Sequence, residues 1–254
     1  MNYIIGFFMA WGNFITLPCP YKRWESNLKN MMLAFLPSVG IVVGGVWMAL
    51  YWVCNLLELP PLIVTIVMEF SIFAICGFMH MDGFMDCNDA IMSRRPLEER
   101  QRILKDSTVG AFAVVTVVFL LLGWFAAMAS VMIDGGEFAY GDLLLIPVIS
   151  RGIGGLCVLT FKPIGHSQYA SDYKEPGRVK YRLAILGQVA AVVALSVWIS
   201  PDWVKTIASM AVMAVTGLLA CTYARKQLGG MSGDIAGYAI CFSEFAGILA
   251  LAIL

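Results

Sequence analysis

Charge is scarce in this chain. Of its 254 residues only 13% are Asp, Glu, Lys or Arg, 60% are hydrophobic, and the mean hydropathy is +0.80; a typical soluble domain carries roughly 25% charged residues. A soluble globular domain is excluded, and an integral membrane protein is indicated. Paired cysteine motifs are missing as well: Cys19, Cys54, Cys76, Cys87, Cys157, Cys221 and Cys241 are scattered, mostly within apolar stretches, with no C-x-x-C pair. They read as small core residues of a reduced protein. There is no P-loop, no Ser-His-Asp or Cys-His arrangement, no internal repeat and no low-complexity tract. The start of the chain lacks the basic residues of a cleaved signal.

What is present is a series of apolar stretches. Crossing a bilayer takes about 20 residues, and stretches of that order lie near 33–55, 60–79, 110–133, 143–161, 183–200, 204–223 and 236–254. The expected fold is therefore all-α, a polytopic bundle of about seven transmembrane helices forming one membrane domain over residues 1–254. Tyr3–Leu17 is apolar but short and ends in Pro18-Cys19-Pro20, which suits an interfacial or re-entrant segment. The Gly40-x-x-x-Gly44 spacing and the fifteen methionines are explained by helix packing.

Basic residues alternate from one connection to the next. Lys22, Arg23 and Lys29 precede the first span; Arg94, Arg95, Arg100, Arg102 and Lys105 follow the second; Lys162, Lys174, Arg178, Lys180 and Arg182 follow the fourth; Arg225 and Lys226 follow the sixth. The connections between, around Glu58 and from Asp134 to Asp142, hold no basic residue, and the one at 201–205 holds only Lys205. The positive-inside rule puts the basic loops in the cytoplasm.

On that side lies His80-Met-Asp82-Gly-Phe-Met-Asp86-Cys-Asn-Asp89. At 3.6 residues per turn, carboxylates at i, i+4 and i+7 fall within roughly 60° of one another on a helix. Such a cluster is either a solvated acidic face or a site for a hard cation that keeps like charges ionised together. Its neighbours favour the second reading. Arg95 and Lys105 sit in the following loop, positioned for phosphate oxygens or simply on an amphipathic surface helix. The turn Gly229-Gly230-Met-Ser232-Gly-Asp234 would let a backbone approach a ligand and adds a carboxylate, or is a tight connection between spans. Glu69, Arg151 and Glu244 lie inside predicted spans, where ionisable groups are costly and mark function or a structural ion pair. His80 is placed to ligate, orient or shuttle a proton, and His166 stands in a polar loop. Clustered aspartates beside basic side chains point to metal-assisted phosphoryl transfer.

These residues resemble the cobalamin synthases, or adenosylcobinamide-GDP ribazoletransferases. The matching stretches are His80-x-Asp82-Gly83-x-x-Asp86-x-x-Asp89, then Arg95, Lys105-Asp106-Ser107-x-x-Gly110, Pro18-Cys-Pro20, Pro37 with Gly40 and Gly44, Ser150-Arg151-Gly152, Gly229-Gly230-x-Ser232-Gly233-Asp234 and Glu244. They cover nearly the whole chain in order. Ala90 departs from the family's usual Gly but removes no ligand.

The resemblance implies a reaction: α-ribazole, or its 5′-phosphate, is joined to adenosylcobinamide-GDP, forming adenosylcobalamin or its 5′-phosphate and releasing GMP. It implies Mg²⁺ on Asp82, Asp86 and Asp89 with Asp234, and an aspartate of the cluster or His80 as base. Substrate contacts would come from Arg95, Lys105, Asp106, Ser107, Arg151, Gly229, Gly230, Ser232, Asp234 and Glu244. It also implies the cytoplasmic membrane with a site facing the cytoplasm, lipid contact and no nucleic-acid partner; a homo-oligomer stays open. Two competing readings are a CDP-alcohol phosphotransferase, whose Asp-Gly-x-x-Ala-Arg pattern this chain does not carry, and a transporter using Glu69, Arg151 and Glu244, which lacks the inverted repeats such proteins show.

Overall fold

A computed structural model of the protein describes residues 1–133, 138–165 and 177–254. The described residues form helices throughout: α1 (Asn2–Phe14), α2 (Lys29–Ala34), α3 (Leu36–Leu56), α4 (Pro61–Ile75), α5 (Met79–Met92), α6 (Leu97–Ile103), α7 (Ala111–Ile133), α8 (Tyr140–Thr160), α9 (Arg178–Ile199), α10 (Trp203–Leu228) and α11 (Gly233–Ile253). The fold is an all-α polytopic membrane bundle. Six helices, α3 and α7 to α11, are long and apolar enough to span a bilayer, and α4 with α5 makes a bent pair that raises the count to seven if it is one span.

Two helices form the centre. The hydrophobic windows of α8 and α11 are 83% and 78% buried, against 17–39% for the other four, so the outer helices keep apolar faces for lipid. Close approach is set by small residues. A Cβ added at Gly40 would stand 2.6 Å from the Pro147 carbonyl oxygen, and one at Gly44 would stand 2.9 Å from Leu144 Cα. The Gly40/Gly44 pair thus seats α3 on α8, the packing role its spacing suggests.

The apolar stretch expected near 60–79 is broken by a bend. Pro60 and Pro61 start α4, whose 15 residues reach about 22 Å, short of a hydrocarbon core of about 30 Å. The chain then turns by 86° into α5. Gly77 and Phe78 make the turn, both with left-handed backbone (φ +60° and +58°). A left-handed phenylalanine costs roughly 1–2 kcal/mol, and the local bonds Phe78 N–H to Phe73 O (2.9 Å) and Gly77 N–H to Ala74 O (2.9 Å) hold it.

Breaking a helix within the bundle leaves terminal carbonyls without intrahelical donors. The N-terminal segment supplies donors. Thr16 donates its N–H to Ile75 O at 2.8 Å and its hydroxyl to Ile75 O and Ala74 O at 3.1 and 3.2 Å. Helix α1, with 13 residues, is too short to span; it buries Ile5, Met9, Ala10 and Phe14 against α2 and α3. It is a docked short helix, in keeping with the interfacial or re-entrant segment expected there.

Candidate active site

The bend aims α5 along the N-terminal half of α11, and two glycines bring their backbones together. A Cβ at Gly83 would lie 2.8 Å from Asp234 Cα, and one at Gly237 would lie 2.9 Å from the His80 carbonyl oxygen. Asp82 and His80 therefore stand beside Asp234, which occupies the first turn of α11 behind the N-cap Ser232. The Ser232 hydroxyl accepts from Ile235 N–H at 3.3 Å and donates to Asp234 Oδ2 at 3.1 Å. His80, Asp82 and Asp234 line one cleft of about 130 Å³ together with Asn13, Phe14 and Leu36. His80 is buried, and its Nε2 has no partner among the described residues.

Asp82, Asp86 and Asp89 fall on one helix, so the spacing argument holds, and Asp86 lies within Coulombic range of Asp82, Asp234 and Asp89. Asp89, however, is committed elsewhere. Its carboxylate accepts from Gly110 N–H (2.6 Å) and Ala113 N–H (2.9 Å), the free amides that open α7. That is a cap with a full negative charge at the positive end of a helix. Gly110 is glycine because a Cβ there would stand 2.5 Å from Asp89 Oδ1. The structure gives Asp89 an anchoring contact at the start of α7.

The same polar face continues to Ser93, eleven residues after Asp82 and within about 20° of it around the helix. Ser93 lines a second, larger pocket of about 800 Å³ with Arg94, Arg95, Arg100, Phe112, Tyr223 and Gln227. Arg100 donates to Gln227 Oε1 at 2.6 Å and keeps its Nε without a partner among the described residues. Over about 16 Å, therefore, α5 carries one polar track from a carboxylate cleft to an arginine-lined pocket. Lys105, Asp106 and Ser107 are exposed beyond α6. Asp106 accepts from the Thr108 hydroxyl (2.6 Å) and N–H (3.0 Å), and those bonds hold its carboxyl below the usual carboxylate range.

Several expected substrate residues are occupied by protein. Arg151 and Glu244, each near the midpoint of a 21-residue helix, form a buried ion pair through Arg151 Nη1 and Glu244 Oε1. Ser150 donates to Glu244 Oε1 at 2.8 Å, and Arg151 Nη2 donates to Cys76 Sγ at 3.0 Å. The pair joins α8, α11 and the α4–α5 bend, and both side chains are engaged with protein groups. Glu69 is buried with Oε1 unpartnered among the described residues and does not join them.

Gly229 and Gly230 likewise lie against protein. Gly229 ends α10 at φ +78° with its Cβ position against Leu97 and Gln101, and a Cβ on Gly230 would stand 2.7 Å from Ile164 N. Their close approach is to this protein's own chain, sealed by Met231 N–H to Lys162 O and Ile164 N–H to Met231 O, both 2.9 Å. His166, Lys174 and Asp134 lie outside the described residues.

The site belongs to a class: a membrane bundle with a carboxylate cleft at one end of α5 and an arginine-lined pocket at the other. The family model for cobalamin-5-phosphate synthase matches residues 6–252, and the chain belongs to that family. It is 35% identical to an adenosylcobinamide-GDP ribazoletransferase of Clostridium perfringens (strain 13 / Type A), over 97% of this chain and 96% of that one. It is 35% identical to the protein of the same name from Clostridium botulinum (strain Alaska E43 / Type E3), with coverage of 97% and 96%. With that from Lachnoclostridium phytofermentans it shares 27% over 100% and 95%. No solved structure matches the chain.

What sequence reasoning missed is the partner of each motif. Asp89 and Gly110 form one contact, as do Gly83 and Asp234; the two glycines were visible in the motifs, but the pairing was not.

Proposed function

We infer that this chain is an adenosylcobinamide-GDP ribazoletransferase: it joins α-ribazole or its 5′-phosphate to adenosylcobinamide-GDP, forms adenosylcobalamin or its 5′-phosphate, and releases GMP. The observation that carries the reading to specific residues is the polar track of α5. It leads from the Asp82/Asp234 cleft, too small for a nucleotide, to an arginine pocket of nucleotide size. The guanosine end of the substrate lies toward the pocket of Arg94, Arg95 and Arg100, which meet the guanosine-side phosphate. Its pyrophosphate lies along Asp86 and Asp82, and the cobinamide-bearing phosphorus is at the cleft.

The donor set fits Mg²⁺. Among the described residues no three His, Cys, Asp or Glu side chains converge as a self-sufficient metal site, but Mg²⁺ characteristically takes one or two carboxylates together with substrate phosphates and water. Asp82, Asp86 and Asp234 would hold it, and it would offset phosphate charge during transfer. The chain's own groups do the rest. A ribazole hydroxyl oxygen attacks the phosphorus bonded to the cobinamide side; the bond to the bridging oxygen breaks, and GMP departs with that oxygen. The hydroxyl proton passes to His80 Nε2, which has no protein partner among the described residues, or to Asp82 beside it. The arginines stabilise the leaving phosphate.

The basic connections support a cytoplasmic position for this face and the cell membrane as the site of the bundle. The ion pairing of Arg151 with Glu244 removes the charge path that a transporter reading needs. The test is to incubate purified protein in detergent or liposomes with adenosylcobinamide-GDP, α-ribazole and Mg²⁺ and to follow cobamide and GMP. Equimolar appearance of both is expected. Absence of product under conditions where a known synthase turns over would overturn the reading.

A further inference from the structure

We propose that the pocket between α1 and the Pro18–Trp24 loop binds the ribazole, with its planar base among Phe8, Tyr21 and Trp24 and its 5′-phosphate on Lys22 and Arg23. The proposal rests on the function inferred above and adds the location of its second substrate. The pocket has a volume of about 770 Å³, within the range that holds a nucleotide-sized ligand. Asn13 lines both this pocket and the cleft of His80, Asp82 and Asp234, so the two spaces adjoin. A cleft of about 130 Å³ takes a ribose hydroxyl and a phosphoryl group, and the rest of the nucleophile needs room next to it.

In-line displacement decides which neighbour holds which group. The attacking and leaving oxygens lie on opposite sides of phosphorus. The leaving GMP has the arginine pocket at the Ser93 end of the α5 track, so the nucleophile enters from the other end, and the α1 pocket is there. The placement of charge agrees. Because a ribazole already phosphorylated at its 5′ position reacts, the attacking oxygen is another ribose hydroxyl, and the 5′-phosphate points away from the reacting centre. Lys22 and Arg23 line the α1 pocket and not the cleft.

The walls are built for a flat ring. Trp24 is 57% exposed and Tyr21 38%, and Phe8 supports Tyr21 with centroids 5.7 Å apart. The frame is fixed: Trp11 Nε1–H donates to Leu17 O at 3.1 Å, and Cys19 Sγ contacts Phe8 O at 3.6 Å and Tyr21 O at 3.3 Å. Thr16 ties the loop to the end of α4, so a base held here is held in register with the α4–α5 bend and Asp82.

The experiment measures KM separately for α-ribazole, its 5′-phosphate and adenosylcobinamide-GDP. Trp24→Ala should raise KM for both ribazole forms at least tenfold while leaving KM for adenosylcobinamide-GDP within twofold, and Trp24→Phe should restore most of it. Lys22→Gln should raise KM for the 5′-phosphate and not for the unphosphorylated ribazole; Arg23 is the less clean choice because it is paired with Glu25 at 2.7 Å. A rise confined to adenosylcobinamide-GDP, or no change in any KM, overturns the proposal. Titration calorimetry with α-ribazole 5′-phosphate alone, on wild-type and Trp24→Ala protein of equal thermal midpoint, reads the pocket without turnover. Equal affinity there also overturns it, whereas failure of the wild type to make any cobamide speaks against the function and not the pocket.

Discussion

Gly83 and Asp234 meet backbone to backbone: a Cβ on Gly83 would stand 2.8 Å from both the Cα and the carbonyl oxygen of Asp234. Neither atom is on a flexible side chain, so α5 and α11 must separate to admit any other residue. Gly83→Ala should cost about 1–3 kcal/mol through overpacking and reduce kcat at least tenfold, because Asp82 and Asp234 move apart. Thermal midpoint in detergent and turnover check the two effects separately. Full activity in the variant would mean that this contact does not position the site.

The three aspartates of α5 should not behave alike. Asp82→Asn and Asp86→Asn are expected to lower turnover at least a hundredfold with the thermal midpoint nearly unchanged, since neither carboxylate is committed to holding two backbone amides. Asp89→Ala leaves the Gly110 and Ala113 amides without their acceptor and should cost about 1–2 kcal/mol of stability, with a smaller loss of turnover. Thermal melts beside initial rates for the three variants decide it. An Asp89 variant that is as stable as wild type but inactive would return Asp89 to the reacting centre.

Arg151 and Glu244 predict a different pattern. Removing one partner leaves a buried unpaired charge, a loss of about 3–5 kcal/mol, whereas replacing both by neutral groups of similar volume is often tolerated. Arg151→Met should therefore yield little folded protein, and Arg151→Met with Glu244→Gln should recover most of it. The double variant should also retain measurable turnover if the role of the pair is to hold the α4–α5 bend through Cys76. Folded yield by size exclusion and cobamide formation are the readouts.

The pattern of these expectations shows what the linear sequence carries and what it does not. Helical spans, the Gly40/Gly44 packing role and the shared face of Asp82, Asp86 and Asp89 are periodic features, and period is local. The 86° turn at Gly77-Phe78 was not legible, because the apolar run continues through it and an ordinary phenylalanine takes the left-handed conformation. Nor was the division of labour among polar residues. Asp89 and Asp82 are the same residue type on one face of α5, and only the arrival of the α7 amides at Asp89 tells them apart. Arg151 was rightly flagged by its cost inside a span, but burial alone does not say whether a charge faces substrate or another charge.

Metal dependence supplies the last prediction. Three of the groups expected at the reacting centre, Asp82, Asp86 and Asp234, are acidic, yet among the described residues they do not close into a ready-made cage. A cation held here must take part of its coordination from substrate phosphate and water, as Mg²⁺ commonly does. Two consequences follow from linkage, because only a ligand that binds the folded state tightly raises its stability. Mg²⁺ alone at millimolar concentration should shift the thermal midpoint by less than about 1 °C, while Mg²⁺ with adenosylcobinamide-GDP should shift it by several degrees, in the sense expected for about 2–3 kcal/mol of ligand binding in a chain of this length. EDTA should abolish turnover and Mg²⁺ should restore it. Asp82→Asn should lose the joint shift as well as the activity, which separates a metal held with substrate from one acting in bulk solution. A large shift with Mg²⁺ alone would indicate a resident metal site independent of substrate, and turnover that survives EDTA would leave the arginines of the 94–100 segment and His80 to carry the transfer without a cation.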